Sequence, residues 1–262
     1  LLAAGNLYMV TYKIYPTGVV NVNAHFTSVS MEATPDEISE ATKSATFSPK
    51  SQAAREAAAK LEVPRIGVRF RLPADMQQVQ YFGRGPEENY LDRQAGTIVG
   101  LYTTTAEKMY YPYVRPQENG HHTDTRWVAL TGKNGKGLLI RANETMGFNA
   151  LRNSIEDFDS EEAVKHDYQW SNFTEKEIAE RNPEKAKNRL RRMHHVNDIS
   201  PRNFVEVCVD MKQQGVAGYD SWGSRPEKAY SIPANQNYTW GFTLVPVKNN
   251  NEAASKATLT YE

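Results

Sequence analysis

"RIGVRFRL", residues 65–72, alternates without a break: Ile66, Val68, Phe70 and Leu72 fall on one face, and Arg65, Arg69 and Arg71 on the other. A period of two with one apolar and one charged face marks a strand in an antiparallel sheet that packs on one side and meets water on the other. The pattern recurs at both ends of the chain. In "VVNVNAHF" (19–26), Val20, Val22, Ala24 and Phe26 alternate with Asn21, Asn23 and His25. In "YTWGFTLV" (238–245), Tyr238, Trp240, Phe242 and Leu244 do the same. "RWVALTGKNGKGLLIRA" (126–142) adds a hairpin, because Asn134-Gly135 suits a tight turn between two apolar runs. Many short strands separated by turns imply an all-β sandwich or barrel with two antiparallel sheets.

Two stretches depart from this pattern. "SQAAREAAAKLE" (51–62) is alanine-rich and follows a polar segment, so a polar insertion near 30–60 with one short helix is expected. "SNFTEKEIAERNPEKAKNRLRR" (171–192) is heavily charged; Thr174 and Glu177 have capping-box spacing, and Pro183 limits the helix they begin. Its Arg189, Arg191 and Arg192 read as a solvated face rather than an anion site. Helices are thus expected only near 51–61 and 174–192.

Composition narrows the function. Thirty-one basic and 31 acidic residues among 262 cancel, which argues against nucleic acid as a partner. No apolar run approaches a membrane span, and "LLAAGNLYMVTYKIYP" lacks the basic leader of a signal peptide. The first residue is Leu1 and the first segment already reads as strand, as expected of a piece of a longer protein. The single cysteine, Cys208, excludes internal disulfides and leaves the compartment open. It lies in the apparent strand "FVEVCVDM", where a packed thiol is expected rather than a nucleophile.

Candidate chemistry concentrates in loops. "HHTD" (121–124) suggests metal ligation, but on an extended chain only His122 and Asp124 would converge, short of the three or four ligands of zinc; no metal is expected. No nucleophile elbow, phosphate loop or dinucleotide fingerprint is present. "YFGRGPEENYLDRQAG" (81–96) and "MYYPYVRPQENGHHTDTRW" (109–127) mix aromatic, amide and charged side chains. They include Glu88, Asn89, Tyr90, Asp92, Arg93, Tyr110, Tyr111 and Tyr113. Such mixtures bind sugars, with rings on C–H faces and polar groups on hydroxyls. They equally hold turns together. A third loop, "GVAGYDSWGSRPEKAY" (215–230), places Trp222 among glycine, serine and proline, where a large ring would not ordinarily be spent.

"PRIGVRFRLP", "YFGRGPEENYLDR", "YVRPQENG" and "GYDSWG" occur in that order over residues 64–246. Together they resemble the C-terminal domain of bacterial β-galactosidases of glycoside hydrolase family 2. The resemblance implies a large two-sheet antiparallel supersandwich similar to galactose mutarotases. Residues 18–262 would form it, and 1–17 would be its N-terminal edge or a linker from the preceding domain. Its partners would be a catalytic (β/α) barrel and a linking sandwich of the same polypeptide, with a β-galactoside as substrate and a homo-oligomer as a candidate assembly. In the family's Asp-Ser-Trp motif the tryptophan enters the barrel's active site and stacks on sugar; Asp220, Ser221 and Trp222 match it. The family commonly has two glycines and two aspartates before the serine, whereas this chain reads Gly218-Tyr219-Asp220, a departure expected to bear on leaving-group preference. Arg65, Gly67, Gly85, Asn89, Tyr90, Asp92, Arg93, Asn119, Gly120 and Arg126 occupy motif positions expected to organise turns and buried polar networks.

Both catalytic glutamates of the family belong to the barrel. Asn143-Glu144 and Asn251-Glu252 match no barrel motif, so no catalytic residue is expected here and the chain alone should be inert. No cofactor is expected in this domain, with divalent cations a candidate requirement of the whole enzyme. Rival readings are a free carbohydrate-binding module, an aldose epimerase and a purely structural domain.

Overall fold

The computed structural model describes residues 6–28, 62–158, 196–220, 225–249 and 251–261. The helices expected near 51–61 and 174–192, both polar insertions, His194-His195, Ser221 and Trp222 lie outside the described residues.

Among the described residues nine strands carry the fold: β1 (Leu7–Ile14), β2 (Val20–Thr27), β3 (Arg65–Pro73), β4 (Gln78–Gly85), β5 (Ile98–Thr105), β6 (His122–Thr131), β7 (Gly137–Leu151), β8 (Phe204–Gln213) and β9 (Tyr238–Val247). Every pairing is antiparallel. The order is β1-β2-β9-β7-β6-β4-β5, with β8 joined to β7 and β3 to β8. The protein is all-β, as the alternating sequence implies, and its hydrogen bonding is continuous.

That continuity rests on β7, which has 15 residues. Gly137–Ala142 pairs with β9, and Gly147–Leu151 pairs with β8. Between them Asn143, Glu144 and Thr145 are exposed. The neighbouring strand β6 shifts register twice, between His122 and Trp127, where Asp124 adopts a φ of 50°. Bulges of this kind bend a strand and increase its local twist. One end of β7 therefore faces β9 while the other serves the β8–β3 branch.

Alternation becomes packing as expected. Val22, Val79, Tyr81, Val128, Leu130, Ile140, Phe148, Val207 and Phe242, from six strands, form the main core, against which Val68, Phe70 and Leu72 are partly buried. On the other face Val19, Trp127, Ala129, Leu139, Val245 and Val247 form a second cluster. The β6–β7 hairpin closes with Gly135 N–H donating to Gly132 O at 2.9 Å and Gly135 at a φ of 79°.

The expectation of helices only near 51–61 and 174–192 requires correction. Helix α1 (Glu252–Ala257) follows β9, and three-residue 3-10 turns occur at Ile155–Asp157, Val196–Asp198 and Lys228–Tyr230. Six residues are too few to show helical periodicity. Tertiary contacts supply what the segment lacks: Ala253 is buried in the second cluster, and Arg141 Nε donates to Ala257 O at 2.8 Å, satisfying an end carbonyl.

Candidate functional site

The charged face of β3 does not simply meet water. Arg65 donates from Nε to Asp210 Oδ1 at 2.8 Å and from Nη2 to Asp210 Oδ2 at 2.5 Å. The same Nη2 donates to Asn149 Oδ1 at 2.5 Å. His121 Nδ1 lies 2.8 Å from that oxygen, so this nitrogen carries the proton. Asn149 in turn donates to Asn119 O at 2.5 Å, and Asn119 makes paired bonds with the backbone of Tyr111, to N at 2.8 Å and O at 2.5 Å. Burial works against the charge on Arg65, but Asp210 outweighs it and holds the guanidinium firmly protonated. Burial also lowers His121 to about 3, with Arg65 adding to the shift, so the ring is neutral. Gly120, at a φ of 69°, has no room for a side chain beside Leu151 and Met109 O.

A second network holds the turn after β4. Asn89 is fully buried; its Nδ2 donates to Arg84 O and Glu87 O, each at 3.0 Å, and its Oδ1 accepts Thr123 N–H at 2.8 Å and the Thr123 hydroxyl at 2.5 Å. The Glu88 carboxylate accepts from Arg93, Tyr113, Gly120 N–H (2.7 Å) and Tyr90 (3.2 Å). Tyr90 is buried, stacked on His121 with ring centroids 5.6 Å apart, and the Arg93 guanidinium lies 5.2 Å from its ring centre. Gly85 is likewise buried where a side chain would collide with Tyr81 and Tyr102. The polar-aromatic run thus divides. Glu88, Asn89 and Tyr90 hold the turn, whereas Arg93 and Tyr111 stay exposed, with the Tyr111 and Tyr113 rings 4.6 Å apart.

Asp92 faces a different element. Its Oδ1 accepts Val216 N–H at 3.1 Å and its Oδ2 accepts Ala217 N–H at 2.7 Å. Gly215 N–H donates to Tyr230 O at 2.8 Å. From there residues 216–220 are exposed, and Tyr219, 81 % exposed, bonds through its hydroxyl to Glu227. Asp220 is therefore on an exposed limb that leads directly into Ser221 and Trp222.

His122 and Asp124 do not converge, contrary to the extended-chain expectation. The bulge in β6 sends them apart: buried His122 sits 3.1 Å from Gly120 O and 3.3 Å from Pro86 O, while Asp124 takes Arg84 at 2.8 and 3.0 Å. Arg126 donates to Asp124 O, and its guanidinium lies 5.8 Å from the Phe82 ring centre. Cys208 is buried, and burial pushes its thiol up to about 12, which makes it a packed group.

The acids that neutralise β3 escape notice in the sequence. Glu206 and Asp210 alternate with Val205, Val207 and Val209 along β8, on the face that meets Arg71, Arg69 and Arg65 across the strand pair. Glu206 accepts Arg71 Nε at 3.0 Å, Arg69 Nη1 at 3.5 Å and Ile155 N–H at 3.0 Å. Opposite charges at matching periods in "RIGVRFRL" and "VEVCVDM" are the signal that could have paired them. Each buried carboxylate named here is met by cationic or backbone donors, an arrangement that builds a rigid frame; at Asp210 burial outweighs Arg65 and raises the carboxyl above its ordinary value.

Comparison with known proteins places this frame. The family described as β-galactosidase small chain matches residues 3–244. A β-galactosidase of Priestia megaterium is 33 % identical over 186 residues, covering 71 % of this chain and 15 % of that protein. One of Streptococcus thermophilus is 29 % identical over 185 residues, covering 70 % and 15 %. One of Vibrio cholerae is 47 % identical over 68 residues, covering 26 % and 7 %. The chain thus spans about 15 % of the length of the first two of these curated relatives. The match takes in β1 to β8 and most of β9, and the chain belongs to the β-galactosidase small chain family.

Proposed function

We propose that this chain is the C-terminal supersandwich domain of a glycoside hydrolase family 2 β-galactosidase, which hydrolyses terminal β-D-galactosides with retention. It packs on a catalytic barrel of the same polypeptide and supplies Trp222 to the sugar site. The observation that carries this reading is the family match together with the exposed limb ending in Asp220, which leads into Ser221 and Trp222. An indole ring can cover the apolar face of a sugar.

The acid/base and the nucleophile lie outside the chain. Retaining hydrolysis needs two carboxyl groups about 5–5.5 Å apart, one of them protonated. The buried carboxylates Glu88, Asp210 and Glu206 are already held by arginine, tyrosine or backbone donors. Purified residues 1–262 should leave an aryl β-galactoside unhydrolysed; turnover above background overturns this assignment.

In the full-length enzyme, Trp222→Ala should raise the Michaelis constant by roughly 5–150-fold, the loss of about 1–3 kcal/mol from one ring–sugar contact. Trp222→Phe should be milder, because a flat apolar face survives. The melting temperature should move little in either. An unchanged Michaelis constant with a collapsed melting temperature makes Trp222 a core residue instead.

A further inference from the structure

We propose that Asp92 is a positioning residue for the sugar site: its carboxylate sets the course of the Gly215–Asp220 limb, and through it the reach of the residues that follow. The proposal rests on the reading of Trp222 as the sugar-stacking residue.

Three observations carry it. First, Asp92 uses both oxygens on consecutive backbone donors, Val216 N–H at 3.1 Å and Ala217 N–H at 2.7 Å. Two adjacent N–H groups held by one carboxylate tie successive peptides to a single anchor. Second, the approach is built for it. A Cβ on Gly215 would lie 2.5 Å from Asp92 Cγ and 3.0 Å from Tyr230 Cβ, so only glycine fits between them. Third, Asp92 is itself held at a rigid base. The adjacent Tyr90 and Arg93 exchange backbone hydrogen bonds at 2.9 and 3.1 Å, and Tyr90 is buried against His121. Beyond this clamp the limb is exposed, with the Tyr219 hydroxyl bonded to Glu227 as a second hold, so the clamp sets where the limb starts.

The test uses the full-length enzyme, an aryl β-galactoside, and the variants Asp92→Asn, Gly215→Ala, Trp222→Ala and Asp92→Asn/Trp222→Ala. An amide at position 92 turns one acceptor into a donor and loses one of the two N–H bonds. Asp92→Asn should speed amide exchange in the peptide spanning Val216 and Ala217 and raise the Michaelis constant on the order of fivefold to tenfold. The turnover number and melting temperature should stay near wild type. Gly215→Ala should reproduce this by pushing the carboxylate away, which supplies the test if Asp92→Asn does not fold. In the Trp222→Ala background Asp92→Asn should add nothing. The proposal is overturned if Trp222→Ala raises the Michaelis constant and Asp92→Asn does not, or if the two effects multiply. If Trp222→Ala itself leaves the constant unchanged, the stacking reading fails, and the positioning role fails with it.

Discussion

Gly67 and Asp210 stand opposite each other across the β3–β8 pair, and the side chain absent from the first is the space filled by the carboxylate of the second. A Cβ on Gly67 would collide with Asp210 Oδ1 and lie 2.8 Å from Val209 O. Gly67→Ala should therefore displace Asp210 from Arg65 and cost about 2–4 kcal/mol, since a buried pair with one partner shifted leaves a charge uncompensated. Gly96→Ala is the matched control. Nothing lies within 4 Å of the added atom there, and the change should stay within about 0.5 kcal/mol. Denaturant midpoints of both variants decide it; equal effects contradict the packing argument.

Asn89 satisfies two carbonyls and two donors of Thr123 from a fully buried position. Asn89→Ala should cost about 2–3 kcal/mol by leaving these groups unpaired. Asn89→Asp should do no better, because a carboxylate would turn an oxygen toward Arg84 O and Glu87 O. A thermal midpoint within 1–2 °C of wild type for either variant would show that the turn is held by other means.

Stability should fall on mild acidification. His121 is lowered from 6.5 to about 3 in the folded state, by burial first and the nearby Arg65 second, and burial lowers His122 in the same direction. Protons thus bind the unfolded chain first. The His121 contribution is complete above pH 6.5 and is lost as pH falls from there toward 3, at up to about 1.4 kcal/mol per pH unit. Glu156, lowered to about 2 chiefly by bonds from Ser154 and Arg69 that outweigh desolvation, matters only below its ordinary value of 4.5. Unfolding free energies at pH 7.5, 6.5 and 5.5 should show the decline. His121→Asn, which keeps a donor toward Asn149, should be less stable at neutrality but flatter with pH. An unchanged slope in that variant would rule out His121 as its source.

Cys208 should resist alkylation in the native protein at pH 8, because burial blocks access and a thiol at about 12 is almost wholly protonated there. Iodoacetamide followed by mass spectrometry of the Cys208 peptide should find it unmodified until denaturant is added. Rapid native labelling would mean that β8 opens readily.

Strand identity was legible in the chain itself. A period of two is a local property: Val22, Ala24 and Phe26 point one way because successive side chains on a pleated strand must alternate, and all three are buried. The Asn134-Gly135 turn is equally local, since it needs only a residue that tolerates positive φ. Tertiary structure decided what depends on register. Arg65 and Asp210 lie 145 positions apart, and only the β3–β8 pairing makes a buried ion pair of them. The β6 bulge separated His122 from Asp124, which an unbroken strand would have brought together. Asp92 reaches Ala217 across 125 positions, where no local rule could join the "YLDR" turn to the glycine loop. Helix α1 belongs with these. Six residues cannot sustain a helix alone, so its existence was decided by Ala253 finding a place against the sheet.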